Sequence, residues 1–201
     1  MAEDGTTWFG APANVLDAGD ADARVKARDT LAAAADKAGA NRLKALAEEG
    51  GPLADFLLAV MVLSPFLGHQ IERQAAMLES LFDVPLATQL QTIIERTEAR
   101  RHGEGIAASE AALMAELRRD KAALHLLIAL GDLSGTLPVM QATDRLSRFA
   151  EVSLGASLAF LLSDAHNSGK LVLSDPDEPE KGSGWIVLSM GKLGAHELNY
   201  S

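Results

Sequence analysis

Apolar residues return every three or four positions through most of the chain between residues 20 and 168. This spacing places them on one side of an α-helix, so it predicts a series of amphipathic helices around an apolar core. The run that starts at Pro52 is apolar on almost every side, and we expect that helix to be central. Aromatic residues make up only 4% of the chain, which also favours packed helices over sheet. The pattern therefore predicts a mainly α protein whose body is like a helical bundle.

Cap residues and prolines divide this pattern into separate helices. Gly39 follows an alanine-rich helix and is predicted to be its C-cap. Ser64 is predicted to be the N-cap of a helix whose first residue is Pro65, a position where the missing N–H costs nothing. The apolar spacing carries that helix on to Leu81.

Two longer helices are predicted in the second half of the chain. Ser109 caps the first, which is expected to stop at residues 131–132. The second begins at residues 136–138 and runs towards His166. Three arginines at residues 96–101 lie near a helix C-terminus, where they favour the helix dipole, and contact with an acidic partner is the alternative.

Residues 1–20 carry glycine, proline, aspartate and asparagine without periodicity, which predicts a loose N-terminal arm. Trp8 and Phe9 are the exception, and we expect this aromatic pair to hold the arm against the helical body. The sequence therefore predicts an arm over residues 1–20, a helical domain over 21–168 and a distinct segment over 169–201.

The chain changes character at its end. Residues 185–190 are a short apolar run with β-branched residues between glycines, which predicts a buried strand. Residues 171–173 predict a second short strand, and the acidic stretch 175–180 predicts a mobile loop. We expect the two strands to form a hairpin against the helical body, while pairing with another copy of the chain and disorder are the alternatives.

The composition excludes several classes of protein. The net charge of −10 opposes binding to nucleic acid, because contacts to phosphate need a basic surface. The chain has no cysteine, so it offers neither disulfides nor thiolate metal ligands, as is typical of a protein of the reducing cytosol. The first residues lack the basic and apolar blocks of a signal peptide, and the longest apolar run, 53–67, is interrupted by Pro65. We therefore expect a cytoplasmic protein with no membrane partner.

Gly191 and Gly194 flank Lys192 in a turn that follows the predicted strand. Backbone N–H groups, glycines that allow close approach and a cation all favour an anion, so this turn is the candidate phosphate site. It is not a P-loop, which needs a glycine five residues before Gly191 and a hydroxyl after Lys192, where the chain has Ile186 and Leu193. No two of the five histidines form an i, i+4 pair, so they do not predict a metal site.

The longer string at residues 190–201 is more specific than the glycine turn. It reads Met-Gly-Lys-Leu-Gly-Ala-His-Glu-Leu-Asn-Tyr-Ser and closely resembles the nucleotidyltransferase signature of the glutamine synthetase adenylyltransferase family. Ala195 and His196 are small departures from that signature. The Ser-Pro-Phe-Leu start at residues 64–67 and the Ile-Ala-Leu-Gly-Asp-Leu stretch at 128–133 resemble the same family.

The resemblance implies a helical subdomain that leads into a DNA-polymerase-beta-like nucleotidyltransferase fold, of which residues 169–201 would be the first strand or strands. In that family the signature continues into two aspartates that hold the catalytic Mg²⁺ ions, and this pair would follow Ser201. Gly191, Lys192 and Gly194 would line the nucleotide or phosphate. The chain by itself would then contain no catalytic or metal-binding residue, would bind no Mg²⁺ and would be inactive.

The position of the signature implies the first of the two catalytic heads of that family. This head removes AMP from glutamine synthetase: phosphate attacks the AMP–tyrosine bond and ADP is released. The implied partners are glutamine synthetase, a PII-type nitrogen-signalling protein and, in the complete enzyme, ATP, ADP and phosphate. A non-catalytic helical protein-interaction module is the alternative, and the residues encoded after Ser201 would distinguish the two.

Overall fold

A computed structural model describes residues 12–14, 16–102 and 107–200, so the predicted role of Trp8 and Phe9 lies outside the described residues. The described part is mainly helical, as predicted. Its helices are α1 (Ala21–Ala38), α2 (Asn41–Glu49), α3 (Pro52–Leu63), α4 (Pro65–Arg73), α5 (Ala75–Ser80), α6 (Leu86–Ala99), α7 (Glu110–Ser134), α8 (Val139–Asn167) and α9 (Gly191–Gly194), with a short 3₁₀ helix (Arg100–His102) after α6.

The chain divides into two compact units. Unit 1 takes Met1–Gln89 and Leu126–Pro138, and unit 2 takes Leu90–His125 and Val139–Ser201. Helices α6 and α7 therefore contribute residues to both units. The domain boundaries expected at residues 20 and 168 stay a prediction.

Helix α3 lies at the centre of unit 1, as its apolar sequence predicts. It contacts α1, α2 and α4, and α1 also packs against α2, α4 and α5. An apolar helix needs such cover on all sides, because water would otherwise meet its side chains. The buried residues of α3 are Leu53, Ala54, Phe56, Leu57, Leu58, Ala59, Val60 and Met61.

The predicted caps are confirmed where the chain turns between helices of unit 1. Gly39 has a left-handed φ of +69°, and its N–H donates to the carbonyls of Ala35 and Asp36. Ser64 Oγ accepts a hydrogen bond of 3.3 Å from the Leu67 N–H at the start of α4, where Pro65 is the first residue. These local contacts satisfy backbone groups that have no partner within the helix.

The helix predicted from Pro65 to Leu81 is wrong in its length, because the chain breaks at Gln74 into α4 and α5. The second piece, α5, places Glu79 at the start of α2, where the N-cap residue Ala40 has no side-chain acceptor. The two Glu79 carboxylate oxygens accept from the N–H groups of Arg42 (3.2 Å) and Leu43 (2.9 Å). A residue distant in sequence therefore caps α2.

The predicted stop at residues 131–132 comes two residues early, since α7 continues to Ser134. A Cβ on Gly131 would lie 2.7 Å from Leu86 Cδ2 and 2.9 Å from Leu137 Cβ. Gly131 is therefore needed for the close packing of unit 1, and it does not end the helix.

The two predicted strands do not form in the described part of the chain, which corrects the expected hairpin. Residues 171–173 and 184–190 are irregular. Val172 is 87% exposed and Ile186 is 79% exposed, and the backbone N–H and C=O groups of residues 186–189 have no hydrogen-bond partner among the described residues. A strand is stable only when a neighbouring strand takes up these groups, and the part of the chain that the structure describes offers no such neighbour.

The acidic loop is anchored to the 3₁₀ helix of unit 2, whereas the sequence predicted a mobile loop. Glu180 accepts hydrogen bonds of 2.8 Å from Arg101 Nε and 2.6 Å from its Nη2. The Glu180 carboxylate also raises the pKa of Arg101. Lys181 lies 2.6 Å from Glu178 within the loop. Opposite charges distant in sequence therefore neutralise part of this acidic stretch.

Among the described residues, α8 is the one helix that is long and apolar enough to cross a membrane on length and composition alone. The longest apolar run in the sequence, residues 53–67, is interrupted by Pro65 and lies outside this helix. A core helix has a similar composition, and 39% of the most apolar window of α8 is buried within the protein.

Candidate functional site

The candidate phosphate turn folds into α9, directly after the exposed segment 184–190 of unit 2. Gly191 opens this helix with a left-handed φ of +57°. At its other end, a Cβ on Gly194 would lie 2.7 Å from the backbone oxygen of Ser189. Both glycines are therefore required by the turn itself, since any other residue would be strained at the first position and would clash at the second.

Lys192 lies between the two glycines on the surface. Its ammonium group makes no hydrogen bond or ion pair within the described part of the chain. The structure therefore brings Gly191, Lys192 and Gly194 together on one turn. Two cavities of unit 2, of about 450 and 440 Å³, are lined by other residues.

His196 attaches the end of this segment to α8 through two carboxylates. Its Nδ1 lies 3.3 Å from Asp144 Oδ1, and its Nε2 lies 3.2 Å from Glu151 Oε1. The residue adopts a φ of +57°, an uncommon conformation for a non-glycine residue. The His196 side chain is 47% exposed, so each pair contributes about 1 kcal/mol or less to stability when the ring is protonated.

Leu198, two residues after His196, extends this attachment. The Leu198 N–H donates a hydrogen bond of 3.1 Å to Ser147 Oγ, which lies between Asp144 and Glu151 along α8. These three α8 residues stand at i, i+3 and i+7 and therefore share one face of the helix. We define residues 195–199 as the docked tail.

Sequence reasoning missed this contact. Its signal was present in the spacing, because residues 144, 147 and 151 form a polar row along a largely apolar helix. The sequence did not indicate that the row faces His196, since more than forty residues separate His196 from Glu151 and the contact depends on tertiary folding.

A second ionic cluster of unit 2 surrounds Asp120. The Asp120 side chain is only 6% exposed and pairs with Arg96 and Arg100. The Arg96 Nε lies 3.0 Å from Asp120 Oδ1, and Arg100 Nη1 lies 2.8 Å from Oδ2. Thr97 also donates to this carboxylate. Two of the arginines predicted to favour the helix dipole, Arg96 and Arg100, therefore have an ionic partner within the protein.

The described residues contain no group of three or more histidine, aspartate or glutamate side chains that could hold a metal ion. His196 and its two carboxylate partners do not form such a group, because Asp144 and Glu151 lie against different nitrogens of the ring.

The comparison with protein families identifies the signature. A family model described as glutamate-ammonia ligase adenylyltransferase matches residues 54–201, a range that includes α9 and the docked tail. The chain belongs to this family. The resemblance proposed from residues 64–67, 128–133 and 190–201 is therefore confirmed.

Curated relatives support the same assignment. The chain is similar to proteins named bifunctional glutamine synthetase adenylyltransferase/adenylyl-removing enzyme. It is 46% identical over 171 residues to that of Mesorhizobium japonicum, which covers 85% of this chain and 17% of the relative. It is 47% identical over 151 residues to that of Bartonella quintana, covering 75% and 15%, and 41% identical over 165 residues to that of Rhizobium meliloti, covering 81% and 17%.

The chain thus spans about a sixth of the length of the curated relatives that it matches. No solved structure matches it.

Proposed function

We propose that this chain is part of an adenylyl-removing head that takes AMP off glutamine synthetase. The observation that carries the proposal is the family match, which includes the whole signature at residues 190–201, together with a Lys192 side chain that is exposed and forms no ion pair within the described residues. The relatives are named for both adenylyltransferase and adenylyl-removing activity. The choice of the removing head follows from the position of the signature in the resemblance described above.

In the proposed reaction, an oxygen of inorganic phosphate attacks the phosphorus of the AMP group. The bond from that phosphorus to the tyrosine oxygen breaks, ADP leaves, and the tyrosine oxygen takes up a proton. Lys192 would lie against the phosphate or nucleotide, where its positive charge offsets the negative charge that gathers there. Gly191 and Gly194 would allow the backbone to come close to the same group.

We also propose that residues 169–201 begin the nucleotidyltransferase domain, after a helical domain over residues 21–168. Residues 185–190 would be a strand of that domain when a neighbouring strand takes up their free backbone groups. Their exposure supports this proposal, because Trp185, Ile186, Leu188 and Met190 are between 68% and 81% exposed, and a contiguous apolar surface of this kind marks a contact site.

Mg²⁺ would act in the complete enzyme, where it neutralises charge on the transferred group. The resemblance puts the two aspartates that hold it after Ser201, so this chain alone would be inactive. Glutamine synthetase would be the protein substrate, a PII-type signalling protein the regulator, and the cytoplasm the location.

The first test is direct. The purified chain is incubated with adenylylated glutamine synthetase, phosphate and Mg²⁺, and ADP is measured. We expect no ADP above background, and turnover at a normal enzymatic rate would show that this chain holds its own catalytic residues.

The second test uses a complete enzyme that carries this segment. Lys192→Met should lower the release of ADP without lowering the melting temperature, whereas Lys170→Met, at another exposed lysine, should leave both unchanged. Equal activity of Lys192→Met and the parent would contradict the role of Lys192. In that case the side chain of Lys192 only covers neighbouring apolar surface.

A further inference from the structure

Unit 2 has an open groove of about 440 Å³. It is lined by helices α7 and α8 and by the docked tail. Its α8 side is apolar, with Leu146 and Phe149 almost fully buried at the base and Leu154 exposed to 45% at the rim. Leu198 of the docked tail closes another side. The volume lies in the range of about 300–1,000 Å³ that is typical of sites for small molecules.

The α7 side of the groove is basic. Arg118, Lys121 and His125 stand at i, i+3 and i+7 and therefore share one helix face. Neither Arg118 nor Lys121 has an acidic residue three or four positions away, and neither forms an ion pair among the described residues. Two like charges at i, i+3 repel each other, so an anion placed between them would stabilise this arrangement.

These two cations contrast with three arginines of the same unit. Arg96, Arg100 and Arg101 are all paired with carboxylates, in a chain whose net charge is −10. Arg118 and Lys121 have no such partner among the described residues, and they line the same groove as the apolar base.

Polar groups of the groove have capacity for a ligand. Burial, and then the charge of Lys121, lower the pKa of His125, so its ring is neutral at pH 7 and has one donor and one acceptor nitrogen. Ser153 Oγ is buried in the groove wall and has no hydrogen-bond partner within the described part of the chain. Buried polar atoms normally have a partner, and a rotation of this hydroxyl towards the groove would let a ligand atom or a water supply one.

We propose that this groove binds a small amphipathic organic anion. Its carboxylate or phosphate lies between Arg118 and Lys121, and its apolar body packs on Phe149 and Leu146. A cation is excluded by the basic wall, and a fully polar anion would leave the apolar base without a contact.

The ligand would also touch Leu198, in the docked tail that follows Lys192. A bound ligand therefore holds the tail on α8 and limits the motion of the docked tail and of the turn before it. Binding itself does not rest on the proposed activity, since the described residues that line the groove belong to α7, α8 and the tail.

The test uses 3-phenylpropionate as the probe and 3-phenyl-1-propanol as its uncharged counterpart. Each is titrated into the ¹⁵N-labelled chain, and the amide signals are followed by NMR. The carboxylate should give saturable shifts in residues 117–125, 149–154 and 198, and it should bind about tenfold or more tightly than the alcohol because of its charge-assisted contacts.

Two variants locate the anion site. The double change Arg118→Gln and Lys121→Gln should weaken binding of the carboxylate about tenfold. Arg119→Gln is the matched control, because Arg119 is exposed on the same helix but does not line the groove, and it should leave binding unchanged. Ser153→Met should fill the groove and abolish binding of both compounds, while melting temperatures show that each variant is folded.

Other results would overturn the proposal. These are equal affinity for the carboxylate and the alcohol, an equal loss in Arg119→Gln, shifts confined to the exposed residues 185–190, or no saturable binding at millimolar concentration. Binding of an acidic phenylalanine-containing peptide without binding of the small carboxylate would assign the groove to a protein partner instead.

Discussion

The Nε2 atom of His196 lies 3.2 Å from Oε1 of Glu151. This contact joins the docked tail to the middle of α8. The same ring reaches a second carboxylate two helical turns earlier. Because both pairs lie at the surface, they direct the tail more than they stabilise the fold.

The double change Asp144→Asn and Glu151→Gln should therefore release the docked tail. We expect lower ¹⁵N order parameters for residues 195–199, since the charges that hold the His196 ring are removed. Loss of stability should be about 1 kcal/mol or less. Asp164→Asn is the control on the same helix, because Asp164 is exposed and far along the chain from this contact. An unchanged tail in the double variant would mean that the Leu198–Ser147 hydrogen bond is sufficient.

Gly194→Ala should disturb the signature turn, because the added Cβ would lie 2.7 Å from the Ser189 backbone oxygen. Gly191→Ala meets no atom within 4 Å but must adopt a φ of +57°, which costs about 1 kcal/mol. We expect amide shifts throughout residues 189–197 for Gly194→Ala and more local shifts for Gly191→Ala. Two identical spectra would argue against a tight turn.

Glu79→Ala should destabilise unit 1 by about 1–2 kcal/mol, because it leaves the first N–H groups of α2 without their acceptor. Partial burial raises the pKa of Glu79, but the hydrogen bonds from Leu43 and Arg42 outweigh burial and the net pKa is lowered. The stabilisation is therefore present above the unfolded value of about 4.3 and is lost as the pH falls through the folded value. Urea unfolding at neutral and acidic pH measures both effects.

The matched control is Glu49→Ala, at an exposed glutamate in the last turn of α2. It should change the free energy of unfolding by a few tenths of a kcal/mol. A similar loss in both variants would contradict the capping role of Glu79.

His125→Gln should make the protein less sensitive to mild acid. Burial, and then Lys121, lower the pKa of His125 in the folded state, so the unfolded chain takes up its proton at a higher pH, near about 6.5. The wild-type protein therefore loses stability as the pH falls from that value through the folded pKa. We expect a smaller drop in melting temperature between about pH 7.5 and 5.5 for the variant than for the wild type.

His69→Gln is the control for this experiment, because His69 is an exposed histidine of α4. Its drop in melting temperature should equal that of the wild type. An unaltered drop in His125→Gln would show that other groups govern the acid response.

Deletion of residues 184–201 should leave the helices folded. The removed segment is mostly exposed, and its contacts with α8 include the His196 pairs, the Leu198 hydrogen bond and one side of the groove. We expect a cooperative thermal transition with a modestly lower midpoint, measured by circular dichroism. A loss of cooperativity would show that this segment belongs to the core.

The sequence by itself determined the helices whose signals are local. Ser64 and Pro65 define the start of α4, because a side-chain cap and a fixed φ act within one turn. The apolar sequence of α3 required burial on all sides, whatever its neighbours were. The signature at residues 190–201 likewise identified the family, because the order of its residues carries the information.

Tertiary structure alone decided the contacts between distant residues. Glu79 caps α2, Asp120 gathers two arginines and Arg101 anchors Glu180, and no local spacing contains these pairings. The strand predicted at residues 185–190 does not form in this chain for the same reason, since the pattern shows which segment can pair but a strand also needs a neighbour for its backbone groups. The groove too depends on how α7, α8 and the tail meet, because its basic and apolar sides come from different helices.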